Sequence, residues 1–184
     1  MLSENQKKEL LKYARAVIKA ELFREKPSYE LPDDDIYQEK CGAFVTLHKN
    51  GELRGCIGYI QAYKSIKETI KEMAIAAAFK DPRFPPLQKD EFKFIEIEIS
   101  LLSELKKIDS INEIEVGKHG LYVRNGYYSG LLLPQVATEW NWDKETFLKQ
   151  VCAKAMLPYD CWKYNDTEIY IFTAEIFSES DFSF

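Results

Sequence analysis

The stretch Phe44-Val45-Thr46-Leu47-His48-Lys49-Asn50-Gly51-Glu52-Leu53-Arg54-Gly55-Cys56-Ile57-Gly58-Tyr59 decides the fold class. Asn50-Gly51 is the strongest short hairpin signal, because a type I′ turn needs positive φ at both central positions. It joins a strand over 41–48 to a return strand over 53–60. Downstream, Ser65 and Glu68 form a capping box. Ile66, Ile70, Met73, Ala74 and Ala77 then share one helical face, which Asp81-Pro82 ends. Phe94 to Leu102 alternates apolar and polar residues, the pattern of a half-buried strand. The same order recurs. A strand over 119–124 leads to Asn125-Gly126, read as a second type I′ turn, and to a return strand from Tyr127 to Leu133. Leu148, Val151, Cys152 and Ala155 mark a helix face, and Glu168 to Phe177 reads as one closing strand. Upstream, a Ser3/Gln6 capping box opens an amphipathic helix that ends at Lys26-Pro27. Hairpins dominate and parallel crossovers are few, so the expectation is an α+β fold with mainly antiparallel sheet. The two hairpin–helix–strand sets are a candidate internal duplication.

The chain of 184 residues suits one compact unit or two small packed halves. Apolar residues at 46% and charged residues at 30% describe a globular chain and exclude a collagen or a disordered tail. No apolar run approaches the roughly 20 residues that span a bilayer. The net charge of −5 and the lack of a basic stripe argue against nucleic-acid binding, where phosphate neutralisation dominates affinity. Met1 to Glu9 shows no apolar signal core, so the expected location is cytoplasmic. Cys41, Cys56, Cys152 and Cys161 contain no C-x-x-C pair, and the chain has two histidines. No metal site or cofactor is expected from them, and the default reading is four free thiols. Asp33-Asp34-Asp35 reads as a solvated loop rather than a cation site.

No P-loop, dinucleotide fingerprint, zincin helix or nucleophile elbow is present. The densest unusual feature is Arg54-Gly55-Cys56-Ile57-Gly58. Two glycines in a strand mark a bulge or the close approach of a ligand or another backbone. Cys56 between them, with Arg54 two residues back, is a candidate activated thiol, since a nearby cation favours the thiolate. Burial of the thiol and packing of the glycines is the plainer alternative. A two-residue turn at Asn50-Gly51 pairs Lys49 with Glu52, His48 with Leu53, Leu47 with Arg54 and Val45 with Cys56. That register puts His48 on the face opposite Cys56; a bulge at Gly55 would reverse the parity. His119 is then the other imidazole, a candidate base or a hydrogen-bonded structural group beside Leu121, Val123, Tyr128 and Leu132. Glu96 and Glu98 share a strand face. Arg83, flanked by Pro82 and Pro85, is a stiffly presented cation suited to an anion.

Five blocks together carry a resemblance. They are Phe44-Val45-Thr46-Leu47, Leu53-Arg54-Gly55-Cys56-Ile57-Gly58, Asp81-Pro82-Arg83-Phe84 with Pro86-Leu87, Gly117-Lys118-His119-Gly120-Leu121, and Leu131-Leu132-Leu133-Pro134-Gln135-Val136-Ala137. In this order the chain resembles the AMMECR-one family, also called AmmeMemoRadiSam system protein A. The resemblance implies a single family domain over 1–184 with a larger and a smaller subdomain, a cleft between them, and an intracellular setting. It implies association with a Memo-like protein and a radical S-adenosylmethionine protein as partners, and it delivers no activity. Two function classes are carried forward. One is a cleft enzyme or enzyme subunit with Cys56 as nucleophile or thiol ligand and His119 as base. In it Arg54 and Arg83 hold an anionic group, and backbone N–H groups near Gly55 and Gly58 serve an oxyanion. The other is a non-enzymatic binding module for one of those partners.

Overall fold

The computed structural model describes residues 1–183. The chain divides into two compact units, Met1–Leu102 with the residues from Glu175 onward, and Ser103–Ala174. The fold is α+β, with four α-helices and two four-stranded sheets among the described residues.

In the first unit, α1 (Glu4–Phe23) begins at the Ser3/Gln6 capping box and buries Leu10, Leu11, Ala14, Val17 and Ile18. Strands β1 (Gly42–Lys49) and β2 (Glu52–Tyr59) form the first hairpin. Asn50 and Gly51 have φ of 53° and 83°, as a type I′ turn requires. Helix α2 (Ile66–Phe79) starts at the Ser65/Glu68 box, and β3 (Ile95–Leu102) returns antiparallel to β1. Val45 pairs with Ile99 and Leu47 with Ile97. All four are fully buried in the core that this sheet face builds with α1 and α2.

In the second unit, β4 (Lys106–Ile108), β5 (Gly120–Asn125), β6 (Tyr128–Leu132) and β7 (Glu168–Phe172) form the sheet. A short helix, α3 (Pro134–Glu139), has Pro134 at its first position, where the missing N–H costs nothing. Helix α4 (Lys144–Lys154) covers the sheet with Phe147, Leu148, Val151 and Cys152.

Three expectations need correction. The second turn closes one residue later than expected. Asn125 pairs with Tyr128, so Gly126-Tyr127 forms the turn, and only Gly126 has positive φ, at 58°. Asn125 stays in the strand, where its side-chain amide donates to Thr167 Oγ1 at 3.0 Å. The facing of Leu121, Val123, Tyr128 and Leu132 survives, because the pairing shifts by an even number. Secondly, the closing strand is two strands. It breaks at Thr173 into β7 and β8 (Ala174–Ser178), which join different sheets. Ser103 holds the break, donating its N–H to the Thr173 carbonyl and accepting the Thr173 N–H on Oγ, both at 2.9 Å. A continuous run of β-forming residues carries no signal for such a change of sheet. Thirdly, the thiols are not all free. Cys152 on α4 is bonded to Cys161, with Cα atoms 5.9 Å apart, and Cys41 and Cys56 are the free pair.

The strand order of the first sheet is β2-β1-β3-β8, and that of the second, read from its hairpin edge, is β6-β5-β7-β4. Each therefore places a return strand at one edge, its hairpin partner next, and the strand after the helix third.

Candidate functional site

The expected register holds for the first two pairs of the hairpin, Lys49–Glu52 and His48–Leu53, and then shifts. Leu47 pairs with Gly55 and Thr46 with Cys56, leaving Arg54 as an extra residue in β2. This is a bulge, one position before the glycine where the sequence allowed for one, and it reverses the side-chain parity of the rest of the strand. Gly55 and Ile57 now share the helix-facing side with Leu47 and Val45. Cys56 and Gly58 share the other side with Phe44, Thr46 and His48, and with Glu96, Glu98 and Ser100 of β3. The expectation that His48 and Cys56 lie on opposite faces is thus overturned.

Burial of an arginine explains the bulge. Arg54 is 8% exposed. It donates from Nε at 3.1 Å and from Nη2 at 2.9 Å to the two oxygens of Glu91, and from Nη2 to the Pro85 carbonyl at 2.9 Å. Lys49 adds a bond of 2.8 Å and the Gln88 N–H one of 2.9 Å to the same carboxylate. These partners, Arg54 first, hold the Glu91 carboxyl down at about 2. Arg54 is therefore committed to Glu91 and anchors the loop 81–91, in place of the anion-binding role expected of it.

The glycines have packing reasons as well. A Cβ on Gly55 would lie 2.1 Å from the Ala77 carbonyl oxygen of α2, so the helix rests directly on the strand. A Cβ on Gly58 would lie 2.3 Å from the Phe44 ring.

Strand β2 is an edge, and the loop after α2 closes it at Cys56. The Cys56 N–H donates to Asp81 Oδ2 at 2.9 Å, and its carbonyl accepts from Arg83 Nη2 at 3.3 Å. One residue's backbone thus receives an acceptor and a donor, as it would from a neighbouring strand. Arg83 also grips Asp81 side-on, Nε to Oδ1 at 3.0 Å and Nη2 to Oδ2 at 2.7 Å. The Asp81 side chain is 1% exposed while that of Arg83 is 49% exposed. Arg83 first, then the N–H groups of Cys56 and Arg83, hold the Asp81 carboxyl well below the usual carboxylate range.

The Cys56 thiol is half-buried and accepts a hydrogen bond from Thr46 Oγ1 at 3.2 Å. Burial pushes the thiol up; the Thr46 hydroxyl and the Arg83 charge act the other way, and Asp81 and Glu98 reinforce the rise. At neutral pH this sulfur carries its proton. Of the backbone N–H groups near Gly55 and Gly58 expected to serve an oxyanion, that of Cys56 is occupied by Asp81.

His119 belongs to the second unit and Cys56 to the first. His119 Nδ1 accepts the Glu115 N–H at 3.1 Å, and the His119 backbone N–H donates to the Glu115 carbonyl at 2.9 Å, so the ring is fixed by its own loop. Glu96 accepts the Ser180 N–H at 3.3 Å. The other free thiol, Cys41, donates to the carbonyls of Gly42 and Leu102 at 3.1 and 3.3 Å. Thr46, Asp81 and Glu91 are not singled out as site residues by the sequence, where Thr46 and Asp81 stand only within family-like blocks and Asp81-Pro82 reads as a helix stop. Among the described residues no group of three or more Cys, His, Asp and Glu side chains is placed to hold a metal. None of their helices is long and apolar enough to cross a membrane.

A family model, AMMECR1, matches residues 11–177. A protein of Methanothermobacter thermautotrophicus is 45% identical, the match covering 97% of this chain and 96% of that protein. A protein of Nanoarchaeum equitans is 41% identical over 92% of this chain and 98% of its own length. The crystal structure of an uncharacterized protein from Pyrococcus horikoshii is similar with a TM-score of 0.89 and 40% identity, covering 97% of this chain and 93% of that one.

Proposed function

The chain belongs to the AMMECR1 family, and on that premise we propose that it works as an intracellular binding module through the sheet face that carries Cys56. The observation behind this reading is the bulge at Arg54, which turns Cys56 away from the helices and onto a face with Thr46, His48, Glu96 and Glu98. On that face the thiol is a protonated, soft contact rather than a standing nucleophile, and half-exposed Arg83, paired with Asp81, stands beside it. The binding partner is a Memo-like or a radical S-adenosylmethionine protein.

A second reading keeps an enzyme, with Cys56 as nucleophile. The bond from Thr46 to the sulfur and the nearby Arg83 charge favour it, since both stabilise a thiolate. Site-resolved iodoacetamide labelling from pH 5 to 10 separates the two. The binding reading expects a Cys56 midpoint above the ~8.5 of a free thiol, unchanged in His119→Ala. A midpoint well below that value rejects the binding reading in favour of the enzyme.

A further inference from the structure

The clamp at the edge of β2 does more than finish a sheet. Asp81 is nearly inaccessible and has four donors around it: the Cys56 N–H, the Arg83 N–H, and Nε and Nη2 of the Arg83 side chain. Arg83 reaches from the same loop to the Cys56 carbonyl. One carboxylate thus touches both the backbone of the thiol residue and the cation nearest to it. We propose that Asp81 is the positioning residue of the Cys56 site. It fixes the Cys56 backbone and, by pairing with Arg83, sets how much of that guanidinium charge acts on the thiol. This rests on the reading that the Cys56 face is the functional one.

The charged and titratable groups around the thiol are few enough to make the inference testable. From the loop come Asp81 and Arg83, from β3 Glu98, and from the neighbouring pair along the sheet His48 and Glu96. Thr46 is the direct hydrogen-bond partner from β1. With Asp81 ionised, the Arg83 charge is largely balanced where it stands. Remove the negative charge and keep the shape, and the guanidinium acts on the sulfur uncompensated. Remove the guanidinium, and the buried carboxylate acts alone. The two changes therefore move the thiol in opposite directions. Two simple losses of packing would move it in the same direction.

The experiment is the pH profile of iodoacetamide labelling at Cys56 in the full chain, for wild type, Asp81→Asn and Arg83→Gln. Asp81→Asn is expected to move the midpoint to lower pH and speed labelling at pH 7 by roughly threefold to tenfold, the scale of one unit charge a few ångströms away under full, water-like screening. Arg83→Gln is expected to move the midpoint up and slow labelling at pH 7. If Asp81→Asn does not fold, the upward shift in Arg83→Gln, on a half-exposed side chain, carries the test. Acceleration of both variants at every pH with no change of midpoint is the mark of a loosened strand, and it overturns the inference. Identical profiles in all three proteins overturn the positioning role and leave the functional reading standing. A Cys56 that labels only on unfolding, in wild type and variants alike, overturns both.

Discussion

The hairpins of the two units run the same course and differ by one inserted residue. Gly55 and Gly130 hold equivalent places, each four residues beyond the glycine of its turn, the one against the last turn of α2 and the other against the end of α4. In the second hairpin the pairing runs without a shift from Asn125–Tyr128 to Leu121–Leu132. In the first, Arg54 enters as a bulge and the register slips. The residue after the glycine then differs in chemistry as well. Leu131 pairs with Tyr122, whose ring lies 5.6 Å from that of Tyr170. Cys56 pairs with Thr46 among carboxylates and a histidine. The loop after the helix diverges too. In the first unit it turns back to the strand through Asp81 and Arg83; in the second its Cys161 is tied to the helix by a disulfide. A shared frame therefore supports two different fillings, and the ionic one collects around the bulge.

The sharpest way to break that comparison is to remove the reason for the bulge. Arg54 and Glu91 are both well buried, and deleting one partner of such a pair leaves an uncompensated group. Glu91→Gln is expected to cost about 3–5 kcal/mol in urea denaturation, more than any other single change to either hairpin. The pH dependence has a definite sign. The folded-state pKa is depressed to about 2 from an ordinary value near 4.5. The stabilisation is thus complete above about 4.5 and is lost as the pH falls toward about 2. Glu91→Gln should flatten that part of the wild-type stability curve; an acid limb that stays as steep would deny Glu91 this role.

The second unit has its own fastening. Replacing Cys152 and Cys161 by serine reopens a short loop and is expected to cost about 2–3 kcal/mol on the chain-entropy scale. The change should leave the pH profile of Cys56 labelling untouched. Alkylation of the unfolded, unreduced chain should modify two cysteines, Cys41 and Cys56. Four modifications would refute the bond.

Much of the frame was legible because it rests on local signals. Both capping boxes, the Asn50-Gly51 turn and the alternation of β3 depend on neighbours within a few residues; the boxes and the turn are present as read, and the alternation holds over 95–99 before the strand becomes buried on both faces. The site was less legible because its decisive contacts are distant. Arg54 finds Glu91 37 residues away and Cys56 finds Asp81 25 residues away, with no periodic trace of either. The bulge had a weak local signal, two glycines in one strand, which pointed to the neighbourhood of Gly55. Its place at Arg54 depended on a buried arginine, a residue type ordinarily assigned to the surface. The Cys152–Cys161 bond escaped for a similar reason. A cysteine on an apolar helix face reads as core whether or not another sulfur meets it there.

The equivalence of the two glycines gives the finest test. A Cβ on Gly55 would approach the Ala77 carbonyl oxygen to 2.1 Å, and one on Gly130 would approach the Ala155 nitrogen to 2.5 Å. Both obstacles are backbone atoms, so no side chain can swing aside. Ala77 lies within the last turn of α2, whereas Ala155 is the cap residue just past α4 and has more freedom to yield. Alanine at either site is expected to cost about 1–3 kcal/mol, as overpacking does, with Gly55→Ala the more costly. Equal costs, read from urea denaturation, would mean that both helix ends are equally rigid and that the units differ only in their charged groups. A neutral Gly55→Ala would mean that α2 does not rest directly on β2 there.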